Sequence, residues 1–189
     1  MRDPILIDVP GRLDTARLSL RPPRPGDGAQ VFAAVAESII ALRRFPASMA
    51  WALAEPHLDA SEAYCRQANA NFVLRKDLPY LLFERSSGDL VGASGLHRFD
   101  WAVPRFEIGY WCRSSRTGRG FVTEAVQALT AVAFDTLGAR RVEILTDDLN
   151  QLAWRVAERA GFLLEGVHRR MRIDLDGTVR DMRVYAQVR

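Results

Sequence analysis

The stretch Arg113-Ser-Ser-Arg-Thr-Gly-Arg-Gly120 gathers residue types that suit one task, holding an anion. Gly118 and Gly120 carry no side chain that would keep a ligand from the backbone. Val122, Val126, Leu129 and Ala133 follow at helical spacing, so a helix starts near Gly120. The first turn of a helix has N–H groups without partners, and the positive end of its dipole lies there. Arg113, Arg116 and Arg119 add positive charge. These features describe an anion site suited to a pyrophosphate. The same residues would also make a tight strand-to-helix turn with solvated arginines, and the stretch alone does not separate the two readings. No Gly-Lys-Ser/Thr follows, which excludes a Walker-type loop, and the third glycine of a dinucleotide fingerprint is absent.

The flanking elements must position that turn. Before it, alternation places Phe106, Ile108 and Tyr110 on one strand face and Glu107, Gly109 and Trp111 on the other. After the helix, Arg141-Val-Glu-Ile-Leu-Thr reads as a strand and Asp147-Asp-Leu-Asn150 as a turn. Leu152, Ala153, Val156, Ala157 and Ala160 form a helical apolar stripe, Gly161 stops it, and Phe162 opens another strand.

This order resembles the GNAT family of acyl-CoA-dependent N-acetyltransferases. The family's acetyl-CoA motif, Gln/Arg-x-x-Gly-x-Gly/Ala, is matched by Ser115–Gly120 at both glycines, and its second motif by Asn150 with Gly161-Phe162. Glu107-Ile-Gly-Tyr-Trp111 and Leu164-Glu-Gly-Val167 are similar to the ribosomal-protein N-terminal acetyltransferase branch (RimL/RimJ type), and the likeness runs from Leu18 to the C-terminus. It implies an α+β fold: a twisted, mostly antiparallel sheet of about seven strands, flanking helices, and a splayed parallel pair in the middle. It implies acetyl-CoA as acyl donor, with pantetheine threading between Glu107–Arg113 and Arg141–Asp147. The residues so implied are the backbone at Trp111, Cys112 and Arg113, the turn Ser115, Arg116, Thr117, Gly118, Arg119, Gly120, Phe121 and Val122, then Asn150 and Ala153. Asn150 also has a simpler reading as a helix N-cap. Two departures stand out. Ser115 replaces the usual Gln or Arg, and Ala157 and Ala153 stand where relatives carry a tyrosine or serine that protonates the leaving thiolate.

Acetyl transfer to an amine needs a proton acceptor, support for an oxyanion and release of a thiolate. The resemblance implies Glu107 as base, against a plain salt-bridged glutamate. His97 is the alternative, because its intrinsic pKa suits base work near neutrality. His57 and His168 have weaker claims. Cys65 and Cys112 leave a cysteine acyl intermediate as a minor route. The expected acceptor is a protein N-terminal amine or a small primary amine. Acetylation of an antibiotic or aminoacyl conjugate, and a non-catalytic acyl-CoA-binding module, are the alternatives.

With 189 residues, 48% hydrophobic and 26% charged, the chain fits one domain, 1–189, in which 1–14 is a loosely attached arm. A net charge of +3, without a basic run interleaved with aromatics, gives no support to a nucleic-acid partner. The two cysteines have no metal-ligand spacing, so no metal is expected, and no signal peptide or membrane span is read. A cytoplasmic setting follows as the expectation, with a possible homodimer. In chain order, Leu18 and Leu20 face inward from a first strand, and Asp27 caps a helix with Val31, Phe32, Val35, Ile39 and Leu42 inward. A linker with Trp51, expected in the core rather than on a groove wall, leads to a helix from Asp59 or Ser61 to Lys76. Strands then follow at Pro79–Glu84, Leu90–His97, Phe162–Asp174 and Val179–Val188.

Overall fold

The computed structural model describes residues 3–189. Eight strands make one sheet: β1 (Leu13–Asp14), β2 (Leu18–Arg21), β3 (Leu78–Glu84), β4 (Leu90–Asp100), β5 (Arg105–Cys112), β6 (Arg141–Asp147), β7 (Leu163–Ile173) and β8 (Val179–Val188). The order across the sheet is β1-β2-β3-β4-β5-β6-β8-β7, and only β5–β6 is parallel. Four helices flank it: α1 (Gly28–Leu42), α2 (Leu58–Val73), α3 (Phe121–Ala131), which continues as a π-helical turn Val132–Thr136, and α4 (Gln151–Arg159).

The parallel pair is joined over a short length. Ladder partners are Arg105↔Arg141, Phe106↔Val142 and Glu107↔Glu143, after which the two strands run on unpaired to Cys112 and Asp147. Alternation along β5 follows the sequence. Phe106 and Ile108 are buried in the main core with α3 and α4, Tyr110 packs against it, and Glu107, Gly109 and Trp111 open on the other face. Burying a Phe or Ile side chain contributes roughly 1.5–3 kcal/mol, so the face assignment of β5 is strongly determined.

Four expectations are corrected. The segment read as a loose arm is docked from Pro4 onward, while Met1 and Arg2 lie outside the described residues. Ile7, Val9 and Leu13 pack on the core, Arg75 donates to Ile7 O, and the buried Tyr80 hydroxyl donates to Pro10 O at 2.7 Å. Asp27 sits at the N-cap of α1 but makes no cap bond, because Arg21 takes both its oxygens at 2.6 and 2.7 Å. Trp51 is a groove wall, half exposed, with its ring 6.0 Å from that of Trp111. In α4, Leu152 points to solvent, and Trp154 and Val156 pack on the core in its place.

Candidate active site

The anion turn is built by backbone geometry. Gly118 and Gly120 have φ of 74° and 77°, a left-handed conformation that a side chain would strain. The first intrahelical bond of α3 is Glu124 N–H to Gly120 O at 3.1 Å. The N–H groups from Gly118 to Thr123 precede it and have no protein acceptor among the described residues. Up to six donors therefore converge where the helix dipole is positive, which is what a pyrophosphate requires.

The arginines expected to supply charge are mostly engaged elsewhere. Arg116 bridges Glu84 and Asp89 of the β3–β4 hairpin. Arg113 pairs with Glu37 of α1 at 2.6 Å, and the Ser115 N–H donates to the same carboxylate. Hydrogen bonds from Ser115 and the Arg113 guanidinium pull the Glu37 carboxyl down to about 2. Ser115 and Arg116 thus brace the turn, Thr117 closes onto Ser114 O, and only Arg119 of the three arginines lacks an ion pair among the described residues. A cation that sequence reasoning missed stands beside the turn. Arg17 donates to Arg119 O at 2.8 Å, pairs with Glu124 at 2.7 Å, and lies 4.8 Å from the centre of the Phe121 ring. Burial alone would raise the Glu124 pKa, but bonds from Thr15 and Arg17 outweigh it and hold that carboxyl below its usual value. No local periodicity links Arg17 to Glu124, so the sequence carried no signal for the pair.

The gap between β5 and β6 has its own donors and acceptors. Arg113 N–H donates to Val91 O at 2.7 Å, so the pleat turns the backbone groups of Cys112, Tyr110 and Ile108 toward the gap. Trp111 and the Arg113 N–H are spent on β4, so within the expected stretch Trp111–Arg113 the backbone of Cys112 faces the gap. Across the gap, Asn150 caps α4 by accepting from Ala153 N–H at 3.2 Å, and its Nδ2 has no protein partner among the described residues. Ala153 O accepts from the buried Tyr110 hydroxyl at 2.7 Å. Val122 and Phe121 lie below in the core.

On the opposite face a groove of about 620 Å³ is walled by Trp51, Tyr64, Trp111 and Val35 and floored by Gly95 and Gly109. His97 sits on that floor. A side chain at Gly95 would meet Leu78 O and Pro79 Cα of β3, both at 2.8 Å, and His97 Nε2 at 3.1 Å, so the β3 backbone requires glycine there. His97 Nδ1 lies 3.3 Å from Asp77 Oδ1. An ionised carboxylate can only accept, so this contact favours the tautomer with its proton on Nδ1, in which Nε2 carries the free lone pair. Glu107 is placed differently. Arg98 Nη1 reaches both its oxygens, at 2.6 and 2.5 Å, and holds it as an ion pair. Arg98 has φ of 50°, in a β-bulge where the β4–β5 register shifts. His57 also lines the groove, but it caps α2 and its Nδ1 accepts from Asp59 N–H. Burial pushes the Cys112 thiol up to about 11 and that of Cys65 to about 12, which leaves neither as a ready nucleophile. Among the described residues no cluster of side chains could hold a metal ion, and no helix is long and apolar enough to cross a membrane.

The sequence pattern of the acetyltransferase (GNAT) domain matches residues 17–163. The chain belongs to the GNAT family. Among GNAT relatives, a putative ribosomal N-acetyltransferase, YdaF, of Bacillus subtilis is 39% identical over 79 residues, which is 42% of this chain and 43% of that protein. The ribosomal-protein-serine acetyltransferase of Escherichia coli is 29% identical over 58% of this chain and 59% of its own. The matched segments span 43% to 64% of the length of YdaF and two other Bacillus subtilis N-acetyltransferases. Solved GNAT structures extend further. RimL with coenzyme A superposes with a TM-score of 0.83, at 22% identity over 95% of this chain and 97% of that one. The microcin C7 self-immunity acetyltransferase MccE, solved with acetyl-CoA and AMP, gives 0.84, at 23% identity over 93% and 94%. At such identity these two likenesses speak for the fold.

Proposed function

We propose that this protein transfers an acetyl group from acetyl-CoA to the N-terminal amine of a peptide or protein. The observation that carries the reading is the alignment of three features around one gap in the sheet. The free amides of Gly118–Thr123 lie at one end, the unpaired edge of β5 lies along it, and His97 waits on the groove face. The pyrophosphate would rest on the amides and the pantetheine arm would take the place of a missing strand, with Cys112 and Asn150 as its polar contacts. The amine nitrogen attacks the thioester carbonyl carbon, the carbon–sulfur bond breaks, and the nitrogen's proton passes to His97 Nε2. The other product is the coenzyme A thiolate, and the Asp77 carboxylate offsets the positive charge of the imidazolium. Glu107, the first candidate from sequence, would have to release Arg98 before accepting a proton, so His97 takes the role. The similarity to ribosomal-protein acetyltransferases supports a peptide N terminus as acceptor. Pairing of two copies along the exposed edge of β7, in the cytoplasm, belongs to the same proposal.

The test is a turnover screen with acetyl-CoA against N-terminal peptides, polyamines and aminoacyl nucleotides. Acetylation of peptide N termini is expected. Acetyl-CoA binding with no turnover on any amine would make the protein a non-catalytic acyl-CoA module instead.

A further inference from the structure

A second cavity of about 630 Å³ lies over β5, β6, β8 and β7. Arg98 and Glu107 line both cavities, so the two meet at that ion pair. Most charges in the second cavity are already matched. Arg141 binds Glu143 and Glu165, Arg98 binds Glu107, and Arg105 faces Asp100. Arg172 is the exception. Its one protein hydrogen bond is from Nη1 to Ala47 O at 2.8 Å, and no carboxylate pairs with it among the described residues. A guanidinium carries five N–H donors, so most of its fork is open. Burial lowers its pKa, and the neighbouring Arg98 cation lowers it further, against Glu107 and Asp147. A half-buried cation with open donors beside a second cation is stabilised by an anion, best by a carboxylate that takes two parallel bonds.

The acceptor path leads to this place. The connector between α1 and α2 is pinned to the β7–β8 hairpin by Ala47, whose N–H donates to Asp174 and whose O accepts from Arg172. The next residue, Ser48, lines the first cavity, and its buried hydroxyl has no partner among the described residues.

We propose, resting on the N-terminal amine reading above, that Arg172 in the second cavity binds a side-chain carboxylate of the acceptor peptide, so that the protein selects N termini followed by an Asp or Glu. The amine sits at His97, the chain passes Ser48 and the Arg98–Glu107 pair, and the following residues enter the second cavity. An extended peptide advances about 3.3 Å per residue, so the carboxylate belongs a few residues from the amine.

The experiment is a set of hexapeptides with free N termini in which one Asp is walked through positions 2 to 5, each compared with its Asn counterpart. For the wild-type protein, kcat/KM at one position should favour Asp by about tenfold, carried in KM. The ratio should fall toward one in Arg172→Met and to an intermediate value in Arg172→Lys, which keeps charge but loses the fork. Arg169→Met removes an exposed charge from the same strand and should leave the ratio intact. Because both peptides are measured on each variant, a loss of folded protein cancels. An Asp/Asn ratio below twofold at every position, or one that survives Arg172→Met, overturns the subsite while leaving the acetyl-transfer reading in place. No acetylation of any peptide, with acetyl-CoA bound, overturns the N-terminal amine reading and the subsite with it.

Discussion

The role of a polar residue here is decided by what stands opposite it. Glu107 and His97 face each other in the β4–β5 register, yet Arg98 holds the first and Asp77 orients the second. Family resemblance pointed to Glu107 and residue type to His97, and neither could show either partner's reach. The same holds for the turn, where the glycines were legible from type and position, whereas the destinations of Arg113 and Arg116 depend on α1 and the β3–β4 hairpin. His97→Gln should therefore lower kcat about 10²-fold, with acetyl-CoA affinity retained by calorimetry. Glu107→Gln should cost far less, and the reverse ranking would return the base to Glu107. Gly120→Asp should abolish acetyl-CoA binding, since it adds strain and a negative charge beside the amides; full affinity would refute the anion site. Tyr110 adds a hydroxyl that the alanines at 153 and 157 do not supply. Tyr110→Phe keeps the ring and frees Ala153 O, so α4 should loosen and the melting temperature should fall by a few degrees, as scanning calorimetry would show.

Elements were easier to read than their attachments. Alternation gave β2 and β5, and helical spacing gave α1 and α3, because one face of each must be buried. The arm was misread because its anchors, Pro10 O and Ile7 O, are backbone atoms whose partners lie about seventy positions away, beyond any local pattern. Attachment of α1 to the anion turn is likewise a side-chain affair, through Glu37. Its folded pKa of about 2 lies below the ordinary carboxylate value, so the bond stabilises the protein above pH ~4.5 and is lost as pH falls toward 2. Acid titration followed by circular dichroism should show Glu37→Gln losing less stability than wild type across that window. An identical acid limb would mean that the tether is already broken at neutral pH.

At the scale of the whole molecule, the exposed edge is β7. Leu163, Leu164, Val167, Met171 and Ile173 lie along it in contact with solvent. A homodimer through this edge would bury apolar surface that a lone sheet edge leaves as a liability, and light scattering at high concentration should find twice the 21.2 kDa chain mass. Leu163→Lys with Val167→Lys should return it to a monomer. The sheet itself is less than continuous. Beyond Glu107 and Glu143 it is two half-sheets, β1–β5 and β6–β8, held together by three ladder positions and the helices beneath. Hydrogen–deuterium exchange would see the join directly. In the free protein the gap-facing amides of Tyr110 and Cys112 should trade their hydrogens quickly, and the two halves should open as separate cooperative units. A bound acyl donor acting as the missing strand should slow those amides and fuse the two units into one, so the substrate would serve for a moment as part of the fold.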